Sequence, residues 1–129
     1  MPDVLVEVRG AWLGARQSQF LDAVQTTLVE TLRVPADDKV LRLIEHAPAN
    51  YLIPGGAGEK FTRIEITMFV GRSREAKRAL HREIVRRVTP FGVPAEDVKI
   101  VLVEVPTENV GIRGGQAACD VDLGYTLSV

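Results

Sequence analysis

Apolar residues along the chain fall into two kinds of run, one with strand spacing and one with helix spacing. Val4-Leu5-Val6-Glu7-Val8 reads as a buried strand. From about Ala15 to Arg33, Phe20, Leu21, Val24, Leu28 and Leu32 recur near the 3.6-residue period, which predicts an amphipathic helix. Val40-Leu41-Arg42-Leu43-Ile44-Glu45 predicts a second strand, and Ile64 to Val70 a third. Between about Ser73 and Val88 the apolar positions Ala76, Leu80, Ile84 and Val88 recur every fourth residue, again as in a helix. Val98 to Val105 predicts a fourth strand. Ala47 to Lys60 is rich in Gly and Pro and reads as a connecting loop. Beyond Val105 lies a glycine-bearing tail, with a short closing strand expected at Tyr125 to Val129.

This order is an internal repeat. Val34-Pro35-Ala36-Asp37-Asp38 returns as Val93-Pro94-Ala95-Glu96-Asp97, between helix and strand in both cases. The expected organisation is therefore one domain over 1–129, built of two β-α-β halves (about 1–46 and 61–105) followed by the tail. Each half should be right-handed with parallel strands. Two halves related by a pseudo-two-fold axis give an α/β chain of the α+β two-layer kind: a four-stranded mixed sheet with both helices on one face. The first and third strands read as almost continuously apolar, as strands buried on both faces do. That pattern predicts a homo-oligomer covering the open face.

Composition narrows the function. The chain has 129 residues, 46% hydrophobic and 26% charged, with a formal net charge of −1. Those values suit a soluble globular protein and carry no global basic field for nucleic acid. No apolar run approaches a membrane span, and no signal peptide is evident at Met1. Cys119 is the single cysteine, so no intrachain disulfide is possible and the cytoplasm is the expected compartment. His46 and His81 are far apart, and no Cys/His spacing suggests a metal.

The candidate chemistry begins at Pro2. Removal of Met1 would leave a rigid secondary amine at the mouth of the first strand, able to act as acid, base or iminium former. If the first strands of the two halves pair antiparallel, the Gly71-Arg72-Ser73-Arg74 segment lies beside Pro2, and so does the Asp37-Asp38 turn. An amine, a carboxylate and two guanidiniums then converge. Arginine forks suit a small carboxylate substrate. His46 should lie at the opposite end of its strand as a structural residue.

The Met-Pro start, the Val34-Pro35-Ala36-Asp37-Asp38 turn, Glu45-His46, and Gly71-Arg72-Ser73-Arg74-Glu75-Ala76-Lys77 together resemble the tautomerase superfamily, most of all its malonate semialdehyde decarboxylase branch. The resemblance runs from Pro2 to about Asn109. It implies a homotrimer with one site per subunit and no metal or organic cofactor. It implies Pro2 as catalytic proline, Asp38 as its acidic partner (with Asp37 adjacent), and Arg72 and Arg74 as holders of the substrate carboxylate. Relatives in that branch follow Glu-Asn with Trp-Ser-Phe-Gly. Here Glu108-Asn109 leads into Val110-Gly111-Ile112-Arg113, so Val110 and Ile112 would form a thinner apolar wall and Arg113 is new. The expected activity is decarboxylation of a small 3-oxo acid such as malonate semialdehyde. Keto-enol tautomerisation or hydration of small carboxylates is the alternative, and a non-enzymatic binding module a further one.

Overall fold

The computed structural model describes residues Met1–Val129. Its elements run β1 (Asp3–Arg9), α1 (Gln17–Leu32), β2 (Val40–His46), β3 (Thr62–Phe69), α2 (Arg74–Val88), β4 (Val98–Val105), β5 (Gly111–Ile112) and β6 (Gln116–Ala117). The large sheet has the order β2-β1-β3-β4. Within each half the strands are parallel, and β1 and β3 join the halves antiparallel, with Asp3 opposite Thr67.

Local chemistry explains the boundaries. Ser73 is extended and accepts a hydrogen bond from the Ala76 amide, so α2 starts one residue beyond it. Glu75 in the first turn and Arg86 and Arg87 in the last suit the helix dipole. Arg33 ends α1 in the left-handed conformation, with its amide bonded to the Val29 carbonyl. Both helices pack on one sheet face. Val4, Val6 and Val8 of β1 and Ile64, Ile66 and Met68 of β3 meet Phe20, Val24, Leu28, Leu80, Ile84 and Val88 there, all fully buried.

The opposite face differs from the expectation. β1 and β3 are not apolar on both sides: their outward positions include Asp3, Glu7, Arg9, Arg63 and Glu65. The alternation, which ends at the buried pair Met68-Phe69, marks one dry face and one largely polar face that also carries Leu5. Glu7 bridges His46 at 2.7 Å and Arg63 at 3.7 Å on that outer side. Its apolar exposure comes from the edge strands instead, at Val40 and Ile44 of β2 and Val103 of β4.

The tail also differs. No strand forms at 125–129. The polypeptide makes the small β5–β6 hairpin and then runs back across the start of α2, where the Ser73 amide donates to the Val129 carbonyl at 2.8 Å. Gly71 permits this crossing. Its φ is +131°, and a Cβ there would lie 3.2 Å from the Leu127 side chain.

Candidate active site

The antiparallel β1–β3 pairing brings the start of β1 to the end of β3, and the parallel β1–β2 pairing brings in the turn before β2. The structure therefore gathers the chain start, Asp38 and Arg72 at one end of the sheet. His46 lies at the other end of β2, where its imidazole meets Glu7 and its ring lies 5.1 Å from that of Tyr51.

Asp38 is held by a tight turn, its amide donating to the Pro35 carbonyl at 3.1 Å. Gln25 of α1 steadies the turn by donating to the Ala36 carbonyl at 3.3 Å. The Asp38 carboxylate accepts a hydrogen bond from the Met1 amine at 2.8 Å. Pro2 itself is buried. The Met1 carbonyl, one bond from the Pro2 nitrogen, accepts a hydrogen bond from the Tyr125 hydroxyl at 2.8 Å.

Beside this arrangement opens a cavity of about 570 Å³. Asp3, Asp37 and Asp38 line it together with Met1, and Val110 and Ile112 form part of its apolar wall. The Ala118 amide anchors that wall through the Val110 carbonyl at 2.8 Å. Arg113 also lines the cavity; it has a φ of +49° and donates to the Asp122 carbonyl at 2.9 Å.

The two arginines expected at the site separate. Arg72 is only 5% exposed and donates through Nη1 to the Phe69 carbonyl at 3.0 Å. Its Nε and Nη2 are buried without a protein partner. Burial lowers its pKa, against the opposing effects of Tyr125, Glu104 and Asp38. Arg74, in contrast, is exposed on the first turn of α2 and does not line the cavity. Asp38, Val110 and Ile112 thus meet at the cavity beside Met1, while Pro2 and Arg72 are buried at the same end of the sheet and, like the exposed Arg74, do not line it.

Tyr125 and Asp3 were not singled out from the sequence. Asp3 immediately follows Pro2, so its presence at the mouth of β1 was legible from position. Tyr125 carried no such signal, because its place depends on the course of the tail across Gly71.

No group of three or more His, Cys, Asp or Glu side chains is disposed to hold a metal ion, and no helix is long and apolar enough to cross a membrane. A protein-family model described as a tautomerase enzyme matches residues 38–113. Among solved structures, the fold is similar to that of FG41 malonate semialdehyde decarboxylase inhibited by 3-bromopropiolate. That match has a TM-score of 0.80 and 24% identity, and it covers 89% of this chain and 92% of that one. It is similar to Pt0534 inactivated by 2-oxo-3-pentynoate, with a TM-score of 0.83, 22% identity and coverage of 91% and 96%. A third similar structure is the symmetric trimer of wild-type Q0 fused 4-OT, with a TM-score of 0.80, 24% identity and coverage of 90% and 95%.

Proposed function

Because the chain belongs to the tautomerase enzyme family, we propose that it decarboxylates a small 3-oxo acid such as malonate semialdehyde, using the amine of Pro2 after Met1 is removed. The observation that carries this reading is the charge around the chain start. The Asp38 carboxylate reaches the chain start, 2.8 Å from the nitrogen of the Met1 that processing removes, and Asp3 and Asp37 line the same cavity. Three carboxylates favour the protonated form of a nearby amine. A charged proline is an acid and hydrogen-bond donor, which suits decarboxylation better than abstraction of a carbon-bound proton.

The steps follow from that charge. The substrate carboxylate is assigned to Arg72 and Arg74, the buried Arg72 side chain turning into the cavity that it does not line and Arg74 acting from the rim or from a neighbouring subunit. The Pro2 ammonium donates a hydrogen bond to the aldehyde oxygen and so polarises the carbonyl β to the carboxylate. The bond to the carboxylate breaks, its electron pair moves towards the carbonyl, and carbon dioxide leaves. The carbon left behind takes a proton from the ammonium, giving acetaldehyde, and water restores the proton. The apolar wall at Val110 and Ile112 favours the loss of charge as carbon dioxide departs. The chemistry calls on no metal or organic cofactor.

A second reading is enol-keto tautomerisation or hydration of a small unsaturated carboxylate. Arg113 favours it, since a guanidinium on the cavity wall opposes the three carboxylates and favours a neutral, basic proline. The assembly proposed with either reading is a homotrimer in the cytoplasm. The exposed Val40, Ile44 and Val103 on the outer sheet face and the trimeric Q0 fused 4-OT structure support the trimer.

Proton NMR of the Met-processed protein with malonate semialdehyde, beside Pro2→Ala, tests the reading. Acetaldehyde formed by the first and not by the second is the expected result. Turnover of phenylenolpyruvate alone would move the assignment to tautomerisation.

A further inference from the structure

The Met1–Pro2 peptide is chemically a carbonyl carbon attached to the Pro2 nitrogen, at a bond length of about 1.3 Å. Its oxygen is held by the Tyr125 hydroxyl at 2.8 Å. Once Met1 is gone, a substrate carbonyl that meets the Pro2 amine approaches the same region, and its oxygen meets the donor that the Met1 oxygen met. We infer that Tyr125 is a catalytic residue, whose hydroxyl donates a hydrogen bond to the carbonyl oxygen of the substrate as negative charge builds there. This inference rests on the reading of Pro2 as the reacting amine.

Three further observations support it. Tyr125 lines the same cavity as Asp38 and the Val110–Ile112 wall. Burial, and next the charge of Asp38, raise the pKa of its phenol, while Arg72 opposes them. The hydroxyl therefore keeps its proton at neutral pH and can donate it. The tail that carries Tyr125 is held in place a few residues later, by the Ser73 amide on the Val129 carbonyl at 2.8 Å and by the close approach of Leu127 to Gly71. A donor so fixed loses little entropy at the moment of reaction.

In the decarboxylation, the pair from the breaking carbon–carboxylate bond forms the new carbon–carbon double bond, and the former carbonyl pair moves onto oxygen. Tyr125 stabilises that oxygen by hydrogen bonding and keeps its own proton. The ammonium of Pro2 then protonates carbon, the carbonyl re-forms, and the neutral amine regains a proton from water. In a tautomerisation the same enolate oxygen would sit against the same hydroxyl. Tyr125 thus serves whichever of the two reactions Pro2 performs.

The test compares wild type, Tyr125→Phe and Pro2→Ala, each with Met1 absent by intact mass, on malonate semialdehyde and on phenylenolpyruvate. For Tyr125→Phe, kcat should fall about 100-fold on the substrate that wild type uses, with KM changed less than about threefold. A second protein carries 3-fluorotyrosine at position 125 in a Tyr51→Phe background. At a pH where ultraviolet absorbance shows its more acidic phenol ionised, its rate should fall below that of the Tyr51→Phe protein at the same pH, and this arm decides if Tyr125→Phe does not fold. Tyr125→Phe activity within about threefold of wild type, with Pro2→Ala inactive, would overturn the role of Tyr125 alone. A rate equal to that of the Tyr51→Phe protein at that pH would do the same. Equal activity of Pro2→Ala and wild type would overturn the proline reading and this inference with it.

Discussion

Asp38 and Asp97 occupy the same Val-Pro-Ala turn in the two halves of the chain, and each carboxylate accepts a hydrogen bond from a nitrogen ahead of its half's first strand. Asp97 takes the Gly58 amide at 3.0 Å, and Asp38 takes the Met1 amine at 2.8 Å. The strand register matches Val4 opposite Leu41 with Ile64 opposite Ile100, so Phe61 and Thr62 stand where the first half has Met1 and Pro2. The second half runs on through a buried Phe61, with a backbone amide in place of an amine. One device therefore fastens the start of a strand in both halves, but only the first half offers titratable nitrogen to chemistry.

That contrast separates two substitutions. Asp97→Asn weakens a bond within a buried turn and should destabilise the fold by about 1–3 kcal/mol, with the rate per folded molecule unchanged. Asp38→Asn removes a charge beside the amine. It should leave stability within about 1 kcal/mol, because the carboxylate is one-third exposed. It should also shift the acid-form requirement of the pH–rate profile to lower pH. Urea unfolding and pH–rate profiles of both variants check the pair.

Gly71→Ala should loosen the tail. An alanine would meet the Leu127 side chain at 3.2 Å and would have to hold a φ of +131°. The strain is about 1–3 kcal/mol. We expect a lower melting temperature and faster proteolytic cleavage after Val121. Activity should fall as the tail lifts, if Tyr125 acts as inferred.

Most of the fold was legible in the sequence because it is local and repeated. The fourfold spacing of Leu80, Ile84 and Val88 and the alternation of Val4, Val6 and Val8 each report a single buried face. The repeated Val-Pro-Ala turn then fixes how the halves relate, which is enough to bring Pro2, Asp38 and Arg72 to one end of the sheet. What was not legible depends on contacts with no period. The path of residues 118–129 is set by Gly71 and by the Ser73 amide, so Tyr125 could be read as part of a strand. Arg72 and Arg74 are two residues apart and look alike in sequence. Their different burial comes from the turn between β3 and α2, which directs Arg72 inward to the Phe69 carbonyl.

Arg72→Met should distinguish packing from binding. The side chain is buried, and its replacement leaves the Phe69 carbonyl without this donor, so a stability loss of about 1–3 kcal/mol is expected. If Arg72 also holds substrate carboxylate, KM rises more than tenfold in the folded fraction, an effect of about 1.4 kcal/mol or more. Arg74→Ala should leave stability within about 0.5 kcal/mol, since its side chain is at the surface. Steady-state kinetics with denaturation curves give both quantities.

Alkaline pH should destabilise the fold through its two phenols. Tyr51 and Tyr125 both have pKa values raised above 10.0 by burial first. Below pH 10 both phenols are protonated in the folded and unfolded chain, and their contribution is fully present. Above that the unfolded chain ionises first, so stability falls as pH rises through the folded values. Unfolding curves from pH 8 to 11 should show this decline, and a Tyr51→Phe, Tyr125→Phe double variant should flatten it.

The protonation state of Pro2 is the point on which decarboxylation and tautomerisation divide. It can be read directly by ¹⁵N NMR titration of the Met-processed protein labelled at proline, since Pro2 is then the only proline nitrogen that titrates. The account predicts an ammonium at pH 7, held charged by Asp3, Asp37 and Asp38. A nitrogen already neutral at pH 7 would contradict it and make Pro2 a base.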